Sequence, residues 1–176
     1  MQDVVHEKMK FEVPYTLIDD GDGVDGVHFD CTKLLIFLFK MFKLYRIAVT
    51  EGRVKISVTV DGADLSRNTQ HVTAGIKILD PRAINPLTGI PLGFEGVQSR
   101  EFCFPVKILL AKDTKCLYKT HFTDFFEWVA KLNTVGVGPF KKCSVSSPQD
   151  ISSFWKVLGR GGACKISENF CHCCQR

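Results

Sequence analysis

Residues 54–61 read VKISVTVD and are followed by Gly62-Ala63-Asp64. Val54, Ile56, Val58 and Val60 alternate with Lys55, Ser57, Thr59 and Asp61. Successive side chains of a strand point to opposite faces, so this period-2 pattern in β-branched residues predicts a strand with one buried face. The strand is expected to end at Asp61, a carboxylate beside a glycine. The fold class then depends on what pairs with it.

On its N-terminal side the pattern changes to a helical one. Asp30 or Thr32 can cap a helix here, and LLIFLFKMFKLYRIAV places Leu34, Leu35, Leu38, Phe42, Tyr45 and Ala48 on one broad face. Lys33, Lys40, Lys43 and Arg46 leave no uncharged run near the ~20 residues a membrane span requires, so the helix is read as buried and amphipathic. Glu51-Gly52 stops it. Residues 1–29 are expected to be irregular. Within them, residues 19–26 (DDGDGVDG) invite comparison with a calcium loop. A loop begun at Asp20 needs an oxygen ligand at its fifth position and a glutamate at its twelfth, where this chain has Val24 and Cys31. The stretch is read as an acidic, turn-rich linker.

On the C-terminal side two more strands are expected, at 70–79 (Val72, Ala74, Ile76 and Ile78 alternating) and 101–110 (Phe102, Phe104, Val106 and Ile108 alternating). Pro105 puts the latter near an edge or a bulge. Between them runs a long Pro/Gly-rich loop, 80–97. A helix follows at 117–132, with Tyr118, Phe122, Phe125, Phe126 and Val129 at helical spacing. A short strand at 141–146 and a helix opened by Ser147-Pro148, with Ile151, Phe154, Trp155 and Leu158 as its stripe, complete the regular elements. The order helix, three strands, helix, strand, helix is α/β architecture with a mixed sheet.

The chain has 176 residues and 14 Phe, enough for one real core. A net charge of +4 permits nucleic-acid contact without requiring it. The opening MQDVVHEKMK is too polar for a signal peptide, so the chain is expected to be intracellular. Four of its 8 cysteines crowd between Cys164 and Cys174, which favours reduced thiols and a metal site over disulfides.

Two aspartates sit where strands are expected to finish, Asp61 after the first and Asp150 after the fourth. Paired carboxylates are hard oxygen ligands suited to Mg²⁺, and metal pairs assist phosphodiester chemistry. Each residue also has a plainer reading. Asp61-Gly62 could be a turn, although no alternating partner strand follows at hairpin distance. Asp64 is the alternative ligand to Asp61. Asp150 suits the first turn of the helix opened by Ser147-Pro148. Cys171 and Cys174 form a CxxC, half of a tetrahedral zinc site, with Cys164 as a candidate third ligand. The other reading of the CxxC is a redox pair or plain surface thiols.

Together, an Asp after the fourth strand, a short helix, a Gly-containing loop and a CxxC about twenty residues on resemble the DDE transposases. The likeness is to the branch that includes the V(D)J recombinase catalytic subunit and its transposon relatives. It spans roughly residues 54–174 and implies a ribonuclease H-like mixed sheet in which the first and fourth strands are neighbours. It implies catalytic Asp61 and Asp150 holding Mg²⁺, Zn²⁺ at Cys171 and Cys174, DNA as partner and a nuclear location. It divides the chain into an irregular segment (1–29), a helical lead-in (30–52), an incomplete ribonuclease H-like domain (53–160) and the Gly-rich start of a zinc knuckle (161–176). The family's third acidic residue lies further downstream than this chain extends, so a truncated form, inactive alone, is expected. Lys141, Lys142, Arg160 and Lys165 are candidate phosphate contacts near the site. The rival functions are a non-catalytic zinc-binding interaction module and a plain structural α/β domain.

Overall fold

The computed structural model describes residues 2–19, 21, 23–64, 69–93 and 102–146. Within them the alternating stretch becomes β3 (Lys55–Asp64), paired antiparallel along its length with β4 (Gln70–Ile78). The strand does not stop at Asp61. Gly62, Ala63 and Asp64 lack branched apolar side chains, but their backbones still pair with Val72, His71 and Gln70. β4 pairs antiparallel with β5 (Cys103–Leu110), and β6 (Ser144–Ser146) lies parallel to β3 on its other side.

The N-terminal 29 residues are not irregular. They form α1 (Gln2–Glu12), β1 (Tyr15–Asp19) and β2 (Asp25–Phe29). Val5, Met9 and Val13 recur at helical spacing and are buried. The acidic stretch read as a linker is the turn of the β1–β2 hairpin, closed by the pair Asp19 and Asp25 and carrying Gly21 and Gly23 at φ +73° and +84°. β2 pairs with β5, giving a six-stranded mixed sheet in the order β1-β2-β5-β4-β3-β6.

Five helices accompany the sheet among the described residues. The expected helix over the 30s and 40s is two, α2 (Cys31–Met41) and α3 (Tyr45–Thr50). Asp30 caps α2 as expected, accepting from the Lys33 N–H at 2.8 Å. The chain breaks at Lys43, whose φ is +59°, and Leu44 N–H returns to Phe39 O. Likewise the helix expected over 117–132 is α4 (Lys115–His121) and α5 (Thr123–Thr134), separated at the buried Phe122. Thr114 caps α4 through the Leu117 N–H.

The apolar faces of β3 and β4, from Ile56 to Val60 and from Val72 to Ile78, pack with Leu34, Leu35, Leu38 and Phe39 of α2 and Phe125 and Leu132 of α5 in one core. No helix among the described residues is long and apolar enough to cross a membrane. The helix expected after Ser147 lies outside the described residues.

Candidate functional site

Asp61 is exposed, on the face of β3 that the core does not use. Paired residues share a face, so the rows Asp61–Thr73–Ile108–Val27 and Thr59–Gly75–Pro105 run side by side across four strands. His6, Met9 and Lys10 of α1 form the facing wall of a cleft of about 660 Å³ over these rows. Cys103 lies in the same cleft. Burial raises its thiol pKa, against the lowering effect of a hydrogen bond with Thr59.

Asp64 is not interchangeable with Asp61. Three residues along a strand reverses the face. Asp64 Oδ1 accepts from Gln70 Nε2 at 2.7 Å, and with Asp113 it borders a separate cleft of about 240 Å³. Asp113 packs over Gly62, where an added Cβ would come within 3.1 Å of its Oδ2.

β6 and β3 are neighbours and parallel, with the pairs Lys55–Ser144, Ile56–Val145 and Ser57–Ser146. Asp150, Cys171, Cys174, Cys164, Arg160 and Lys165 lie outside the described residues. Among the described residues no group of three or more His, Cys, Asp or Glu is placed to hold a metal ion, and Asp61 is the one carboxylate among the described residues that line its cleft. Lys141 and Lys142 do not lie near Asp61. They precede β6 and sit level with the start of β3, where the Arg53 N–H donates to Lys142 O at 2.9 Å.

No protein-family model matches the chain, and no curated protein matches it.

A second polar cluster escapes sequence reasoning. Alternation through 102–108 puts Lys107 on the face away from the core. The sheet inserts a bulge between Gly75–Pro105 and Ala74–Lys107, with Val106 as the extra residue. Beyond it Lys107 shares the core face with Ala74 and is only 4% exposed. Its ammonium donates to both Asp124 oxygens at 3.2 Å and to the His121 carbonyl at the break between α4 and α5. His28 Nδ1 lies 3.8 Å from Asp124 Oδ2, and Cys31 Sγ lies 3.7 Å from His28 Nε2. The only sequence signal was Pro105, whose missing N–H favours a bulge.

Burial, helped by the charge of Lys107, lowers the His28 pKa against the opposing pull of Asp124 and Asp30. Burial and the Asp124 carboxylate push the Cys31 thiol up to about 12. At neutral pH the imidazole is therefore neutral and the thiol protonated, and the cluster acts as a polar junction tying α5 to β2, β5 and α2. Three units above an ordinary thiol mean roughly a 1000-fold smaller thiolate fraction at pH 8. Iodoacetamide at pH 8, followed residue by residue by mass spectrometry, should label the exposed Cys116 at least about 100-fold faster than Cys31. Cys143, raised by burial to about 11, should lag as well. Equal rates would contradict the assigned environments.

Proposed function

We propose that this chain carries a ribonuclease H-like domain of the transposase type, built for metal-assisted cleavage and joining of DNA phosphodiesters, with Asp61 and Asp150 as its metal-bearing carboxylates. The observation that carries the reading is the parallel pairing of β6 with β3, beside the antiparallel run β3–β4–β5. This matches the strand order that the resemblance implies.

The register supports the carboxylate pair. Ser57 is paired with Ser146. Asp150 follows Ser146 by four residues, as Asp61 follows Ser57, so both carboxylates lie equally far along the chain from the last paired residues of the two strands. Neighbouring strands are about 4.8 Å apart, a spacing compatible with a shared pair of ions ~4 Å apart. Asp64 lies on the opposite face of β3 from Asp61 and is engaged by Gln70. Asp61 fits the chemistry as an exposed, hard oxygen donor. When bound, Mg²⁺ would supply charge stabilisation for the attacking and leaving oxygens. The chain's own part would be to hold the two carboxylates near each other, Asp61 on β3 and Asp150 in the segment that follows β6. Zn²⁺ is assigned to Cys171 and Cys174 on the spacing of the CxxC.

Calorimetric titration with Mn²⁺ tests the pair. Wild type should bind, Asp61→Asn and Asp150→Asn should each weaken binding by about tenfold or more, and Asp64→Asn should leave it unchanged, since removing one of two charged ligands costs at least ~1.4 kcal/mol. Undiminished affinity in Asp61→Asn sinks the reading. Zinc content per chain should fall in Cys171→Ser, and an unchanged content removes the zinc assignment.

A further inference from the structure

Two short tracts far apart in sequence, EGRVK (51–55) and KKCS (141–144), supply four cations: Arg53, Lys55, Lys141 and Lys142. The fold joins the tracts through the backbone. Arg53 N–H donates to Lys142 O at 2.9 Å, Ser144 N–H to Val54 O at 3.0 Å, and Lys141 N–H to Ala48 O at 3.2 Å. Two successive left-handed residues, Gly52 at φ +70° and Arg53 at φ +60°, turn the chain out of α3 and onto the second tract. Glycine is required at the contact. A Cβ on residue 52 would meet Lys141 Cβ at 2.9 Å and Lys142 O at 3.0 Å. Arginine at a left-handed position is uncommon, because its Cβ crowds the following carbonyl.

The result is a cleft of about 380 Å³ walled by Arg53, Lys55 and Lys142, with Asn133 and Ser144 as neutral hydrogen-bonding groups. Among the described residues no carboxylate lines it. The nearby acids are committed elsewhere: Asp80 pairs with Arg82 at 2.8 Å, and Glu51 faces the same guanidinium at 3.5 Å. Three cations with no ion pair among the described residues, around a concave polar wall, suit a phosphodiester, which presents acceptor oxygens and a negative charge but no donor.

We propose that this cleft binds the phosphate backbone of duplex DNA, about 20 Å along β3 from Asp61. The distance follows from six strand residues at ~3.3 Å each. It equals roughly six base pairs of duplex, so one bound duplex can reach both ends of the strand. The proposal rests on the nucleic-acid reading above and adds the anchoring site to it. Lys141 is not part of the cleft wall. Its ammonium donates to the Thr50 carbonyl and so helps hold the two tracts together.

The experiment is fluorescence anisotropy with a labelled 20-base-pair duplex of mixed sequence, on the full chain, across a salt series. Arg53→Gln, Lys55→Gln and Lys142→Gln should each weaken binding several-fold at low salt. Each should also lower the slope of log K against log salt by about one, because each phosphate contact releases its own counterion. Mn²⁺ affinity should stay at the wild-type value in all three. In wild type, bound duplex should protect Lys55 and Lys142 from acetylation, which needs no variant to fold. Unchanged slopes with no protection overturn the proposal. Tighter binding of a single-stranded RNA of the same length than of the duplex overturns the DNA assignment. The two proposals fail separately. Loss of slope in these variants with undiminished Mn²⁺ binding in Asp61→Asn keeps the cleft and removes the carboxylate pair.

Discussion

Asp80→Ala should destabilise the domain by about 3 kcal/mol at pH 7, measured by urea unfolding. Asp80 follows β4 and is 1% exposed. One oxygen accepts from the Lys55 N–H at 3.1 Å and from Arg82 Nη2 at 2.8 Å. The other accepts from the Arg82 N–H at 3.0 Å and Nε at 2.8 Å. Alanine leaves the Lys55 N–H without its acceptor where β3 begins and frees the loop that starts at residue 80. Breaking a fully buried pair costs about 3–5 kcal/mol, and the lower end applies because the Arg82 side chain is 44% exposed and regains water. Burial on its own would raise the Asp80 pKa. The Arg82 side-chain hydrogen bonds, with the N–H groups of Lys55 and Arg82, outweigh it and hold the carboxyl below its ordinary value. A carboxyl depressed in the folded state stabilises above its unfolded pKa and loses that stabilisation as pH falls through its folded one. The gap between wild type and Asp80→Ala should therefore narrow below about pH 4. A gap of equal size at pH 7 and pH 2.5 would show that the charge of Asp80 is not what matters.

Phe42→Ala should cost about 4 kcal/mol, the largest effect expected of a single apolar substitution here. Phe42 is fully buried at the end of α2. Its ring meets Phe102 edge-on at 5.6 Å and Phe104 at 5.8 Å, and its carbonyl accepts the Ile84 N–H at 3.0 Å. The side chain therefore joins α2 to Phe102 and Phe104 at β5, and truncation opens a cavity between them, while the main-chain bond to Ile84 is kept. Phe11→Ala is the matched control. Phe11 is 90% exposed, and its removal should change stability by less than about 0.5 kcal/mol. Comparable losses in the two variants would refute the packing account.

Local chemistry made β3 and β4 legible to within a few residues. Ile56, Val58, Val60, Val72, Ala74, Ile76 and Ile78 are the alternating residues of the sequence, and all are buried. The Asp30 cap and the stop at Gly52 followed from side-chain chemistry and backbone freedom. Of the two readings of Pro105, an edge or a bulge, the bulge holds, with Val106 as the extra residue, while β5 itself lies inside the sheet between β2 and β4. The breaks at Lys43 and Phe122 were not legible, since apolar spacing runs straight through both. The N-terminal hairpin was missed because its five-residue strands carry little apolar alternation and are held by pairing, β1 to β2 and β2 to β5, and the helix was missed although Val5, Met9 and Val13 recur at helical spacing.

The same division holds for the site. Asp61 stood out as a carboxylate in a strong strand, but its face, the cleft under α1 and its opposition to Asp64 depend on register. Lys107 reads as a surface lysine until the bulge turns it inward. Arg53 and Lys142 acquire a shared cleft only when β6 lies against β3.

The sequence by itself determined that β3 and β4 alternate, that Asp30 caps α2 and that Gly52 ends α3. These depend on side-chain periodicity and backbone freedom within a few residues. Only the tertiary structure decided that β6 runs parallel beside β3 and that cations 89 residues apart (Arg53 and Lys142) meet. Strand pairing is a contest among distant backbones for one set of hydrogen bonds, and its outcome belongs to the whole sheet.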